Sequence, residues 1–152
     1  MSTKFLNFSE ETSAVHILPA NSDICYVGLI DGSMMRVDLS NTDVKEVGGE
    51  VRGEVKGHGS KQLERIHQKG IRSITSGSGM LFTGSSDRSI CLSDIETGSL
   101  VARIKKAHSD SVNVVHEMDE NIFVSGDDSG IVKVWQVLAF LTLLLFIHQT
   151  LE

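Results

Sequence analysis

The apolar residues of this chain fall in short alternating runs separated by clusters of Gly, Asp, Ser and Asn, the pattern of brief β-strands joined by tight turns. Val112, Val114 and Val115 begin one predicted strand, a turn follows at 118–121, and further strands cover 122–125 and 131–135. The preceding stretch has the same plan at 71–75, 80–83 and 89–93, and a turn at 96–99 leads to a fourth strand at 100–104. Residues 14–18, 24–28 and 33–39 match it again nearer the N-terminus. Helical periodicity is nearly absent before residue 137, so the pattern predicts an all-β meander.

Three segments superpose without gaps when aligned at a glycine: YVGLIDGSMMRVDL, FTGSSDRSICLSDI and VSGDDSGIVKVWQV. With Gly28, Gly84 and Gly126 as anchors, the residue three later is Asp31, Asp87 or Ser129. The pair nine and ten later is Val37-Asp38, Ser93-Asp94 or Trp135-Gln136. The last two anchors are 42 residues apart and the first two 56, which is one period plus an insertion of 14. Residues 48–60, GGEVRGEVKGHGS, hold five of the 14 glycines without sustained alternation and are predicted to form a flexible loop. Four strands per unit is the plan of a propeller blade, with blades at about 13–45, 67–106 and 108–136 and a loop at 46–66. Gly28, Asp31, Gly84, Gly126 and Asp128 are read as turn residues of the repeat.

His67 and His108 lie 41 residues apart, each just before the first strand of its unit. This period, a His ahead of the first strand and a Trp at the end of the third resemble the WD40 repeat. Ala107-His108 stands where that family has Gly-His, Trp135-Gln136 where it has Trp-Asp, and Ser93-Asp94 keeps the Asp without the Trp. The resemblance implies a hydrogen-bonded set in each blade that pins the turn. His67, Thr83 and Asp87 would supply three of its four members. His108, Ser125 and Trp135 would serve in the next blade, with Ser129 where Asp is usual and Asp128 beside it.

Within the family, GLIDG, the AH followed by VN at 107–113, and SGDDSG resemble the opening blades of a nuclear and nucleolar branch. That implies a noncatalytic scaffold whose rim meets protein partners in ribosomal RNA processing and ribosome biogenesis, on a pre-ribosomal particle. Nucleus and nucleolus are the expected locations, with the cytoplasm as a further one. The alternative implied by other relatives is a substrate receptor attached to a cullin-4 ubiquitin ligase through its adaptor. The adaptor docking pattern, Trp-Asp-x-Arg, lacks both Asp and Arg after Trp135, which counts against attachment through this blade.

Composition narrows the function classes. With 40% apolar and 22% charged residues the chain falls in the ordinary globular range, and a net charge of -6 disfavours a broadly basic DNA-binding surface. Cys25 and Cys91 lie in separate apolar runs without CxxC spacing, so buried reduced thiols are expected. The N-terminus has no apolar secretory core, so an intracellular protein is expected.

Six histidines occur without HxxxH, HExxH or DxDxDG spacing, and no metal or cofactor is expected. His16 and His116 read as ordinary strand histidines. GHGSK does not meet the Walker A spacing, and no nucleophile elbow is present, so catalysis is not expected. Lys45, Arg52, Lys56, Lys61, Arg65, Lys69 and Arg72 make the most basic stretch, but interleaved Glu and missing aromatics leave it without a stacking platform for RNA.

Residues 137–147, VLAFLTLLLFI, are apolar apart from Thr142. As a helix they would span roughly 16 Å, short of a bilayer core of about 30 Å. The repeat pattern breaks after Trp135, so residues 137–152 are read as lying outside the family pattern, as in a truncated or alternatively spliced product. Three blades cannot close a ring, and an exposed blade edge and face are expected.

Overall fold

The computed structural model describes residues 4–7, 11–41, 44–47, 50–54 and 60–137. The first repeat folds into a sheet of β2 (Thr12–Leu18), β3 (Asn21–Leu29), β4 (Met34–Asp38) and β7 (Ser60–Gln62), in the order β2-β3-β4-β7. The second is β8 (Ile71–Gly77), β9 (Met80–Ser85), β10 (Ile90–Asp94) and β11 (Leu100–Ile104), hydrogen-bonded in chain order. The third is β12 (Val112–Asp119), β13 (Ile122–Asp127) and β14 (Val132–Gln136), three strands among the described residues. All three sheets are antiparallel meanders. Their central hairpins share one register, with Gly28 opposite Met34, Gly84 opposite Ile90 and Gly126 opposite Val132.

The sheets stack through their first strands, β2 on β8 and β8 on β12. Alternation along each strand sends one set of side chains to each neighbouring sheet. Tyr26, Met34, Leu63, Ile66, Ile71, Ile74, Leu81 and Cys91 fill the first seam. Phe82, Ile90, Leu92, Val112, Val115 and Phe123 fill the second, where the rings of Phe82 and Phe123 lie 4.7 Å apart and Trp135 stacks on Phe123 at 5.9 Å. Polar contacts cross both seams. The Tyr26 hydroxyl donates to the Ile95 carbonyl at 2.6 Å, His16 Nε2 meets Ser76 Oγ at 2.8 Å, and the Val115 amide donates to Ser73 Oγ at 3.1 Å.

The stretch expected to be a loop at 46–66 contains strands instead. The chain leaves the first sheet through a 3-10 turn (Leu39–Asn41), and β5 (Val44–Val47) and β6 (Glu50–Glu54) form a hairpin. β6 also pairs in parallel with β1 (Lys4–Asn7) to make a separate three-stranded sheet. The chain then returns at β7 as the outer strand of the first sheet, pairing Ser60 with Val37. A second correction concerns the anchors: Gly28, Gly84 and Gly126 lie within strands, and only Asp31 and Asp128 occupy the turns.

The apolar tail beyond Val137 falls outside the described residues. Val137 itself is buried in the second seam and its amide donates to the Asn121 carbonyl at 2.8 Å. Among the described residues no helix is long and apolar enough to cross a membrane.

Candidate functional site

At one end of each sheet the β3–β4, β9–β10 and β13–β14 turns contain an Asp-x-Ser step. Asp31 accepts from the amide and hydroxyl of Ser33, Asp87 from those of Ser89, and Asp127 from those of Ser129. These side chain to backbone bonds replace water at a reversal that would otherwise leave amides unpaired. The residue four past the anchor glycine has a left-handed backbone in every repeat: φ is 91° at Gly32, 70° at Arg88 and 83° at Gly130.

Behind two of these turns lies a buried histidine. His67, 1% exposed, places Nε2 2.8 Å from Thr83 Oγ1 and Nδ1 2.9 Å from Ser89 Oγ and 3.3 Å from both Asp87 oxygens. The Asp87 carboxylate also accepts from the Gln68 amide at 2.8 Å. Burial disfavours charge on both partners, yet the hydrogen bonds outweigh it: Asp87 is held far below the ordinary carboxylate range and the His67 pKa is raised. Cys91 Sγ completes the environment, 3.8 Å from His67 Nδ1, while the Arg103 Nε–H donates to the same sulfur at 3.3 Å.

His108, also buried, meets Ser125 Oγ through Nε2 at 2.7 Å and Asp127 Oδ2 through Nδ1 at 2.9 Å. The Trp135 indole N–H donates to the same Ser125 hydroxyl at 2.7 Å. Burial works against the Asp127 charge, but the Ser129 hydroxyl, the Ile131 amide and His108 lower its pKa to about 2.

The structure therefore brings together His67, Thr83 and Asp87 in one repeat and His108, Ser125 and Trp135 in the next. It does not bring Ser129 or Asp128 to His108. The carboxylate there is Asp127, two residues earlier in the aligned turn than Asp87, and the Asp128 side chain instead accepts from Asn113 on the surface. The recurring Asp-x-Ser step is the sequence signal that picks out Asp127. Ser89, Cys91 and Arg103 are further members that sequence spacing left out. The first repeat lacks the set, because Val27 stands where Thr83 and Ser125 supply hydroxyls. Where the third repeat has Trp135, the second has Ser93, whose buried hydroxyl has no protein partner.

The imidazoles are enclosed and hydrogen-bonded on both nitrogens, so they clamp the turns rather than face a substrate. Among the described residues no group of three or more His, Cys, Asp and Glu side chains is arranged to hold a metal ion.

Comparison with known proteins agrees with this architecture. The chain is 36% identical over 119 residues to WD repeat-containing protein 55 of Danio rerio, covering 76% of this chain and 27% of that protein. It is 32% identical over 120 residues to the homolog in Drosophila persimilis, covering 76% of the chain and 22% of that protein. The Drosophila simulans homolog is 38% identical over 74 residues, or 47% of the chain and 15% of that protein. These sheets follow the plan of incomplete WD40-type blades, and the chain resembles that family. No family model matches the chain. The chain thus spans about a quarter of the length of the first two of these curated relatives, 27% and 22%. The His–Asp–Ser/Thr clamps at its turns act as internal struts of individual blades.

Proposed function

We propose that the chain contributes blades to a noncatalytic WD40 scaffold for protein–protein interaction that acts in ribosomal RNA processing in the nucleus and nucleolus. The observation that carries this reading is the match to WD repeat-containing protein 55 over three-quarters of the chain, 76%. The site chemistry supports the noncatalytic part: His67, His108, Asp87 and Asp127 are all engaged with one another and with hydroxyls. A rigid sheet frame that leaves its turns exposed suits partner recognition by loops.

The test is sedimentation of the tagged full chain from nuclear extract, combined with depletion. Co-migration with pre-ribosomal particles and accumulation of unprocessed ribosomal RNA precursors is the expected result. A protein that stays at the top of the gradient, with normal precursor levels after depletion, would overturn the ribosomal reading. Co-purification with the cullin-4 adaptor instead would favour ligase attachment, against which the Gln136 that follows Trp135 argues.

A further inference from the structure

A concavity of about 200 Å³ opens at the turn end of the second blade, where Arg88, Arg103, Lys105 and Lys106 line it beside Gln68 and Asp87. Four cations around one hollow are unexpected in a chain of net charge -6. Arg88, Lys105 and Lys106 are exposed, and no ion pair joins any of the four to a carboxylate among the described residues. Asp87 offsets one of these charges, and with its oxygens engaged by His67, the Gln68 amide and Ser89 the lining keeps an excess of positive charge. Arg103 is held in place by the bond from Nε to Cys91 Sγ, so its orientation is fixed before any ligand arrives.

The backbone gives an independent sign. Arg88 occupies the left-handed turn position that is Gly32 in the first blade and Gly130 in the third. A side chain is disfavoured there, and glycine adopts the conformation freely. Only the second blade places a side chain at this point, and it is a cation facing the hollow. Lys106, which also lines the hollow, is left-handed too, with φ of 53°. Among the described residues three non-glycines have a left-handed backbone, Ser78, Arg88 and Lys106, and the two cations among them both line this hollow, which points to a use for their side chains.

We propose that this hollow binds the phosphate of a phosphorylated serine or threonine in a protein partner; the proposal rests on the scaffold reading above, for which it names the partner's chemistry. A phosphomonoester carries close to two charges and three acceptor oxygens, matching two guanidinium groups and two ammonium groups better than a single carboxylate does. No aromatic side chain lines it, so it lacks the stacking surface with which single-stranded RNA is held.

The experiment is fluorescence anisotropy of the full chain with a labelled peptide of Gly and Ser bearing one central phosphoserine. The unphosphorylated peptide, a Glu version and an oligouridylate serve as comparisons. The phosphopeptide is expected to bind at least about tenfold more tightly than either peptide control. The double variant Arg88→Gly with Lys106→Gly should weaken it by about tenfold again, while the thermal midpoint stays level or rises because glycine relaxes both positions. Lys105→Gln, which leaves both left-handed positions intact, should weaken binding in the same direction. Equal binding of all three peptides, unchanged binding by the variants, or preference for oligouridylate would overturn the proposal. Co-sedimentation of the parent chain with pre-ribosomal particles, together with equal binding of all three peptides, would leave the scaffold reading standing while the phosphate site falls.

Discussion

Ile71 stands directly over the bare backbone of Gly28: a Cβ on that glycine would lie 2.8 Å from Ile71 Cβ and Cγ2. Val112 covers Gly84 in the same way, with Cγ1 2.7 Å from the position a Cβ would take. The repeat anchor is therefore a seam contact, the place where the first strand of the next blade approaches most closely. Gly28→Ala and Gly84→Ala are each expected to lower the unfolding free energy by about 1–3 kcal/mol through overpacking, measured by urea denaturation. At Gly126 the nearest atom is Val114 Cγ1 at 3.0 Å, on an exposed side chain that can give way. Gly126→Ala should stay within about 0.5 kcal/mol of the parent.

The clamp residues should differ in cost according to what each leaves behind. His67→Ala strands the Asp87 carboxylate and the Thr83 hydroxyl inside the blade and is expected to cost about 3 kcal/mol. Trp135→Phe keeps the stack on Phe123 and removes only the donor to Ser125, a loss of about 1 kcal/mol. Circular dichroism is the suitable probe, because Trp135 is the only tryptophan.

The fold was legible wherever a strand has a buried face. The glycine-anchored hairpins stand out in the sequence because a period of two locks the register once one face is buried. β7, with the sequence Ser60-Lys61-Gln62, lies at the outer edge of its blade and has no apolar residue to announce it. β6 is hidden for a different reason, since Gly53 interrupts its alternation and Val51 is its one apolar side chain. Asp127 escaped because alignment fixes a chain position whereas a carboxylate can reach His108 from two residues away. The cations of the hollow at Arg88 have no counterpart in the repeat pattern; they gather from the β9–β10 turn, the end of β11 and the connection that follows it.

Stability should depend on pH with a sign set by the two clamps. Asp87 and Asp127 lie below their ordinary 3.8, Asp127 at about 2, so their contribution is complete above pH 3.8 and is lost as pH falls through the folded values. His67 is raised above 6.5, so its contribution is complete below that pH and is lost as pH climbs through the folded value. His16, lowered by burial, slopes the other way near neutrality. The His67 limb is therefore read as the difference between the parent and His67→Gln in thermal melts that start below the unfolded value of 6.5 and continue into the alkaline range. A parent minus variant difference that grows with pH would contradict the assignment.

Ser93 offers a stabilising change. Its hydroxyl is buried without a protein partner in the position that holds Trp135 in the next blade. Ser93→Ala removes a buried polar group that returns nothing and is expected to raise the unfolding free energy by about 1 kcal/mol. A loss of similar size in urea denaturation would show that the hydroxyl is satisfied in solution.

The outer face of the third blade presents Val114, Val132 and Val134 at 50%, 71% and 69% exposure. Among the described residues β14 pairs with β13 alone, so edge and face are both available for association. Val132→Thr with Val134→Thr should reduce concentration-dependent self-association in analytical ultracentrifugation while leaving the melting midpoint within about 3 °C.

The excursion between Asp38 and Ser60 leaves and rejoins the first blade at adjacent rungs of one ladder, Val37 lying opposite Ser60. Its exit and entry points are thus those of an ordinary hairpin. A segment grafted between those two rungs would be tied down at both ends like a fitting in a socket, away from the seam that Tyr26 and Ile71 hold together.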